Sequence, residues 1–204
     1  MHIWRVDLLA MDDELGRLLC EQELARAERL LSDSDRVRWM RGRGVLRALL
    51  ARYLGLDPRA LQFSLGEHGK PMLKTAEAGT LQFNLSHSGE LALYAVSQAA
   101  AVGIDVEASR RPFDEIGIAA RVLGHAEAER LRALDPETRT REFLRAWVAH
   151  EAAIKCRGAA LADGSNRSLV HDQWTAELDV GPNAAAAVAV EHRPSKLDLW
   201  QWSG

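Results

Sequence analysis

An α+β protein built from two similar halves is what this 204-residue sequence predicts. Two observations predict it. Stretches with helical apolar spacing are followed by adjacent strand-like runs, and that order occurs twice along the chain. The repeat is one of order, not of residue identity, and the halves divide at 1–103 and 104–204.

The elements follow in turn. HIWRVDLLA (2–10) reads as a first strand. In DELGRLLCEQELARAERLL (13–31), Leu15, Leu18, Leu19 and Leu24 fall at helical spacing. A long helix is expected over residues 32–56, started by Ser or Asp caps and ended near Gly55, although Gly42 and Gly44 weaken it. LQFSL (61–65), LQFNL (81–85), LALYAVS (91–97) and AVGIDVE (101–107) alternate or run apolar in strand fashion. The second half offers helical patterns over 113–134 and 137–157, then candidate strands at 174–180, 185–191 and 197–202.

Composition narrows the classes of function. With 47% hydrophobic and 27% charged residues, the chain reads as soluble and globular. A net charge of -3 gives no global case for binding nucleic acid or an anionic membrane. Cys20 and Cys156 alone make neither a disulfide framework nor a four-cysteine zinc site. The acid-rich beginning is no signal peptide, and no stretch approaches the roughly 18 apolar residues of a membrane span. A cytoplasmic location is expected.

Several motif matches fail on spacing. GEHGKP lacks the glycine spacing and the Ser or Thr of a phosphate-binding P-loop. HEAAI has Ile154 where a zinc-protease helix needs its second His. GRG lacks a third glycine, and LSHSG lacks the glycine of a nucleophile elbow.

Three stretches survive. In GIDVE, Asp105 and Glu107 are two apart on a strand, so both carboxylates face one side. Side by side they repel, and a hard cation such as Mg²⁺ relieves them; an exposed strand end with solvated acids is the plain alternative. In FLRAWVAHEAAIK, Glu151 and Lys155 are four apart and share a helix face with Trp147. Such pairs are common on surfaces, but most of this helix is apolar, and buried charges need partners or a function. In FNLSHSG, a strand runs into a turn whose Ser86, His87 and Ser88 can hold phosphate oxygens.

Taken with GKP, in this order and spacing, these motifs closely resemble the 4'-phosphopantetheinyl transferases. The likeness is to the larger, two-halved class that activates non-ribosomal peptide and polyketide synthases, and it runs from about residue 26 to LWQW near the end. The resemblance implies a pseudo-dimer with coenzyme A and Mg²⁺ (or Mn²⁺) in the cleft between the halves. The phosphopantetheine arm moves to a serine of an acyl or peptidyl carrier protein, and adenosine 3',5'-bisphosphate leaves. It also implies residue roles. Asp105, Glu107 and Glu151 match metal-binding acids, Glu151 also being the candidate base, and Lys155 matches the lysine at the leaving phosphate. Lys70, Ser86 and His87 match coenzyme-phosphate contacts, and Arg38 an arginine near the adenosine. A monomer is expected.

Two departures stand out. His150 replaces the usual Lys before the helix glutamate, and Ala160 sits in the turn after Gly158 where a second glycine is common. A metal-dependent pyrophosphate hydrolase would use the same acids, and a non-catalytic relative would be expected to have lost one of them. Of the five arginines in 36–47, Arg36, Arg43 and Arg47 share one helical stripe, and Arg38 and Arg41 another. Either one stripe faces coenzyme phosphates and the other solvent or the carrier protein, which the resemblance implies is acidic, or both are plain solvated helix surface.

Overall fold

The computed structural model describes residues 1–66, 70–108, 113–158 and 173–204. Nine strands and five α-helices are formed among them. A four-stranded sheet has the order β4-β5-β1-β9, a three-stranded sheet the order β6-β8-β7, and β2 and β3 form a separate hairpin. The strands of the first sheet are β1 (His2–Asp7), β4 (Leu81–Ser88), β5 (Leu91–Gln98) and β9 (Asp198–Gln201). Those of the second are β6 (Val102–Ala108), β7 (Trp174–Glu177) and β8 (Ala184–Val190); the hairpin joins β2 (Phe63–Leu65) to β3 (Pro71–Leu73).

The α+β architecture agrees with the sequence, and the sheets cross the expected midpoint at both ends. β6 pairs antiparallel with β8, so it belongs with the second sheet from Val102 onward. The last strand returns to the first sheet, with β9 parallel to β1.

Helix α2 (Asp33–Leu54) is capped by Ser32, whose side chain accepts from Asp35 N, and ends at Gly55 in the left-handed region with φ 66. Its internal glycines serve packing. A Cβ on Gly44 would lie 2.5 Å from the Leu15 carbonyl oxygen. The expected helix over 13–31 is instead a 3-10 turn (Asp13–Leu18) and a separate α1 (Glu21–Glu28). The break is fixed at Cys20, whose backbone N–H donates to Glu23 Oε2 at 2.9 Å. The pattern over 113–134 likewise divides into α3 (Glu115–Val122) and α4 (His125–Arg132), because Gly124 at φ 108 leaves the helical region.

Helix α5 (Pro136–Arg157) is the longest of the second half, capped by Asp135 and ended by Gly158 at φ 73. It lies against β6 and β8 with backbone close to backbone. A Cβ on Gly103 would come within 2.0 Å of Ala152 O and 2.3 Å of Cys156 N, so only glycine permits this approach. Apolar residues pack in two clusters, with Val6, Leu46, Leu50 and Tyr94 in one and Ile3, Ile104, Val106 and Val188 in the other. No helix among the described residues is long and apolar enough to cross a membrane.

Candidate active site

The turn expected at residues 86–88 is strand. β4 stays paired with β5 through Ser88↔Leu91, and the reversal comes at Gly89, φ 61. The extra strand length matters, because alternation then aims Asn84, Ser86 and Ser88 to one side, toward β6. Asn84 Oδ1 accepts from Ile104 N at 2.9 Å, Ser86 Oγ donates to Asp105 Oδ1 at 2.8 Å, and Ser88 Oγ donates to Glu107 Oε2 at 3.0 Å. This three-rung ladder fixes the two carboxylates of β6. The period-2 polar pattern in NLSHS is the signal for Asn84 and Ser88, and it is lost at Ser88 when residues 86–88 are taken for a turn.

Across from the ladder, α5 brings Glu151 and Lys155. Lys155 Nζ donates to Asp105 Oδ1 at 2.6 Å and to Ser86 Oγ at 3.1 Å. Leu85, Ser86, His87, Asp105, Glu107, Trp147, Glu151 and Lys155 line one cavity of about 440 Å³. Six of the residues singled out in the sequence thus meet in one place, from β4, β6 and α5.

The electrostatics of this place are unusual. Asp105 and Glu151 are buried, and among the described residues no donor reaches Asp105 Oδ2 or Glu151 Oε1. Burial, with Asp105 and Glu107 adding repulsion against the opposing pull of Lys155, pushes the Glu151 carboxyl up to about 7. Buried carboxylate oxygens without donors, on acids that repel one another, fit a hard oxygen-seeking cation. In the present side-chain arrangement no three of His, Cys, Asp and Glu among the described residues are grouped closely enough to enclose a metal. The Lys155 ammonium instead supplies the local positive charge.

A second cavity, of about 990 Å³, shares Leu85, His87 and Lys155 with the first and is walled by Arg26, Arg38, Arg43, Arg59, Lys70 and Lys74 among others. Its cations outnumber its acids, so it suits a polyanion. His87 faces both cavities, and desolvation, with Lys155 and Arg38 adding, lowers its pKa. Arg38 lines the larger cavity while holding Glu90 at 2.8 Å and Asp35. Lys70 lines it too, but its ammonium donates to the carbonyls of Val102 at 3.0 Å and Lys155 at 2.8 Å. His150 is half-buried, and desolvation lowers its pKa. Ala159 and Ala160 lie outside the described residues.

Two members of the Arg36, Arg43 and Arg47 stripe turn inward instead of toward solvent or a carrier. Arg47 is 2% exposed and donates to Glu23 Oε2 at 2.7 Å and to the carbonyls of Pro58 and Leu61. Arg43 meets the other Glu23 oxygen at 2.5 Å and stacks over Phe63, 4.1 Å from the ring centroid. Glu23, four residues before Ala27 on the inner face of α1, draws both guanidinium groups inward. Helical spacing puts Arg43 and Arg47 on one face, but the acid that buries them comes from another element, while Arg36 stays at the surface with Asp33.

Residues 101–201 match the 4'-phosphopantetheinyl transferase superfamily, and residues 12–99 match the N-terminal part of a 4'-phosphopantetheinyl transferase. The 4'-phosphopantetheinyl transferase HetI of Nostoc sp. is 40% identical over 167 residues, covering 79% of this chain and 70% of the relative. The 4'-phosphopantetheinyl transferase of Bacillus subtilis is 29% identical over 183 residues, covering 90% and 77%. A phosphopantetheinyl transferase of Thraustochytrium sp. is 32% identical over 201 residues, covering 88% and 67%. This chain belongs to the 4'-phosphopantetheinyl transferase superfamily. Matches across both halves put it in the larger class, whose reaction moves the phosphopantetheine arm of coenzyme A to a carrier protein.

Proposed function

We propose that the cavity between β4, β6 and α5 is where phosphopantetheine changes hands, with the larger cationic cavity holding the rest of coenzyme A. The observation that carries this reading is the meeting of Ser86, His87, Asp105, Glu107, Glu151 and Lys155 on one cavity that shares His87 and Lys155 with a cation-lined cleft. Asp105, Glu107 and Glu151 are the oxygen donors that would hold Mg²⁺. When bound, that ion supplies charge neutralisation for the pyrophosphate.

The protein's own groups account for the remaining steps. A serine Oγ of the carrier loses its proton to Glu151, whose raised pKa near 7 suits a base working at neutral pH. The freed oxygen forms a bond to the phosphorus that bears the pantetheine arm. The bond from that phosphorus to the bridging oxygen breaks, and the electron pair leaves with adenosine 3',5'-bisphosphate. Lys155, already 2.6 Å from Asp105, offers its ammonium to the charge that grows on the leaving phosphate. His87 and Arg38 line the route along which the coenzyme phosphates extend.

The test is product identity. An apo carrier protein incubated with coenzyme A and Mg²⁺ is followed by intact mass, and the nucleotide product by chromatography. Gain of the phosphopantetheine mass with stoichiometric adenosine 3',5'-bisphosphate is expected. Cleavage of coenzyme A with the carrier unmodified would make the chain a hydrolase instead.

A further inference from the structure

Lys70 invites reading as another phosphate contact, because it lines the cationic cleft. Its geometry points elsewhere. An ammonium has three donors. In Lys70 one goes to Val102 O at 3.0 Å, just before the Gly103 crossing, and another to Lys155 O at 2.8 Å in the last turn of α5. The side chain is half-buried, and desolvation lowers its pKa. Gripping a phosphate in place of those carbonyls would leave the Val102 carbonyl without this donor.

The carbonyls it joins lie where α5 and β6 touch. Gly103 admits the α5 backbone with no room for a Cβ, and Cys156 Sγ donates to Ala101 O at 3.1 Å. A cation there also complements the carbonyl end of the helix. Lys155 links the two places: its carbonyl is held by Lys70, and its Nζ lies on Asp105 and Ser86. We propose that Lys70 is a positioning residue that ties the last turn of α5 to β6 and so holds the Lys155 ammonium over the acids. This rests on Lys155 being the lysine at the reacting phosphate.

Hydrogen exchange and steady-state kinetics of wild type, Lys70→Met and Lys70→Arg test it. In the free protein, Lys70→Met should speed amide exchange in the last turn of α5 by about tenfold or more. With carrier saturating, kcat should fall about tenfold or more while KM for coenzyme A stays within about threefold. Lys70→Arg, which keeps charge and donors, should recover most of both. A KM rise of about tenfold, or unchanged exchange, overturns the proposal. Should Lys70→Met fail to fold, wild type decides: exchange at this turn stays as slow with coenzyme A bound if Lys70 keeps its carbonyls, and quickens if it lets go. If wild type transfers nothing, the functional reading fails, and exchange in the free protein still judges the positioning role.

Discussion

Single residues divide binding from chemistry. Lys155→Ala should lower kcat by about 100-fold with little change in KM for coenzyme A, because charge on the leaving phosphate grows only toward the transition state. His87→Ala should raise KM for coenzyme A by about tenfold, since one contact to a charged group contributes roughly 1.5 kcal/mol in ground and transition states alike. Steady-state kinetics with the reverse pattern would exchange the two roles. Glu151 carries a stability signature as well. Its carboxyl is pushed from 4.5 up to about 7 in the folded chain, so ionising it costs stability. The sign is the reverse of a salt-bridged acid: the cost is absent below about pH 4.5, grows as pH rises toward 7, and is complete above. Glu151→Gln should therefore abolish transfer yet, without metal, melt higher than wild type near pH 8, by the equivalent of roughly 1–3 kcal/mol. Equal melting temperatures at that pH would mean that burial and the neighbouring acids do not hold the Glu151 carboxyl up.

At the scale of elements, the two close backbone approaches make the sharpest claims. Gly44→Ala gains up to about 1 kcal/mol of helix propensity. It also drives a Cβ to 2.5 Å from the Leu15 carbonyl oxygen, and overpacking of that kind costs about 1–3 kcal/mol. Net destabilisation is expected in thermal melts, and a stabilised variant would show that the segment before α1 yields freely. Long helices and strands were legible because caps and periodicity are local: Ser32, Gly55, Asp135 and Gly158 end their helices as their types suggest. Three places were not: the breaks at Cys20 and Gly124 and the strand character of Ser86–Ser88. Both breaks are local, one set by the Cys20 N–H bond to Glu23 and the other by Gly124 at φ 108, and apolar spacing alone carries straight across them. Ser86–Ser88 is strand because it stays paired with β5, which small polar residues do not announce. For the candidate site, the acids and Lys155 were legible as types and spacings. The Ser88–Glu107 bond and the carbonyl partners of Lys70 appear only once β6 and α5 are brought together.

For the whole molecule, charge is organised inward. The net charge of -3 hides a cationic cleft and a buried Arg43–Glu23–Arg47 cluster beneath it. Desolvation raises the Glu23 pKa, but hydrogen bonds from Arg47, Cys20 N–H and Arg43 outweigh it and hold it below its ordinary value. A depressed acid contributes stability that is present above its unfolded pKa and lost as pH falls through the folded one. The chain should lose stability below about pH 4.5, and Glu23→Gln should flatten that slope while costing about 3 kcal/mol at neutral pH, as removing one partner from a buried pair does. Arg43 and Arg47 should accordingly affect melting and leave the salt dependence of carrier encounter unchanged.

Asp105, Glu107, Glu151 and Lys155 together make one metal-assisted transfer site on this reading. The most direct test is the initial rate of apo-to-holo carrier conversion by wild type and Asp105→Ala, with Mg²⁺, with chelator, and with Mg²⁺ restored. Wild type should convert the carrier, stop in chelator and recover with Mg²⁺, while folded Asp105→Ala stays at least about 100-fold slower throughout. Undiminished conversion in chelator, or wild-type rates from Asp105→Ala, would contradict it.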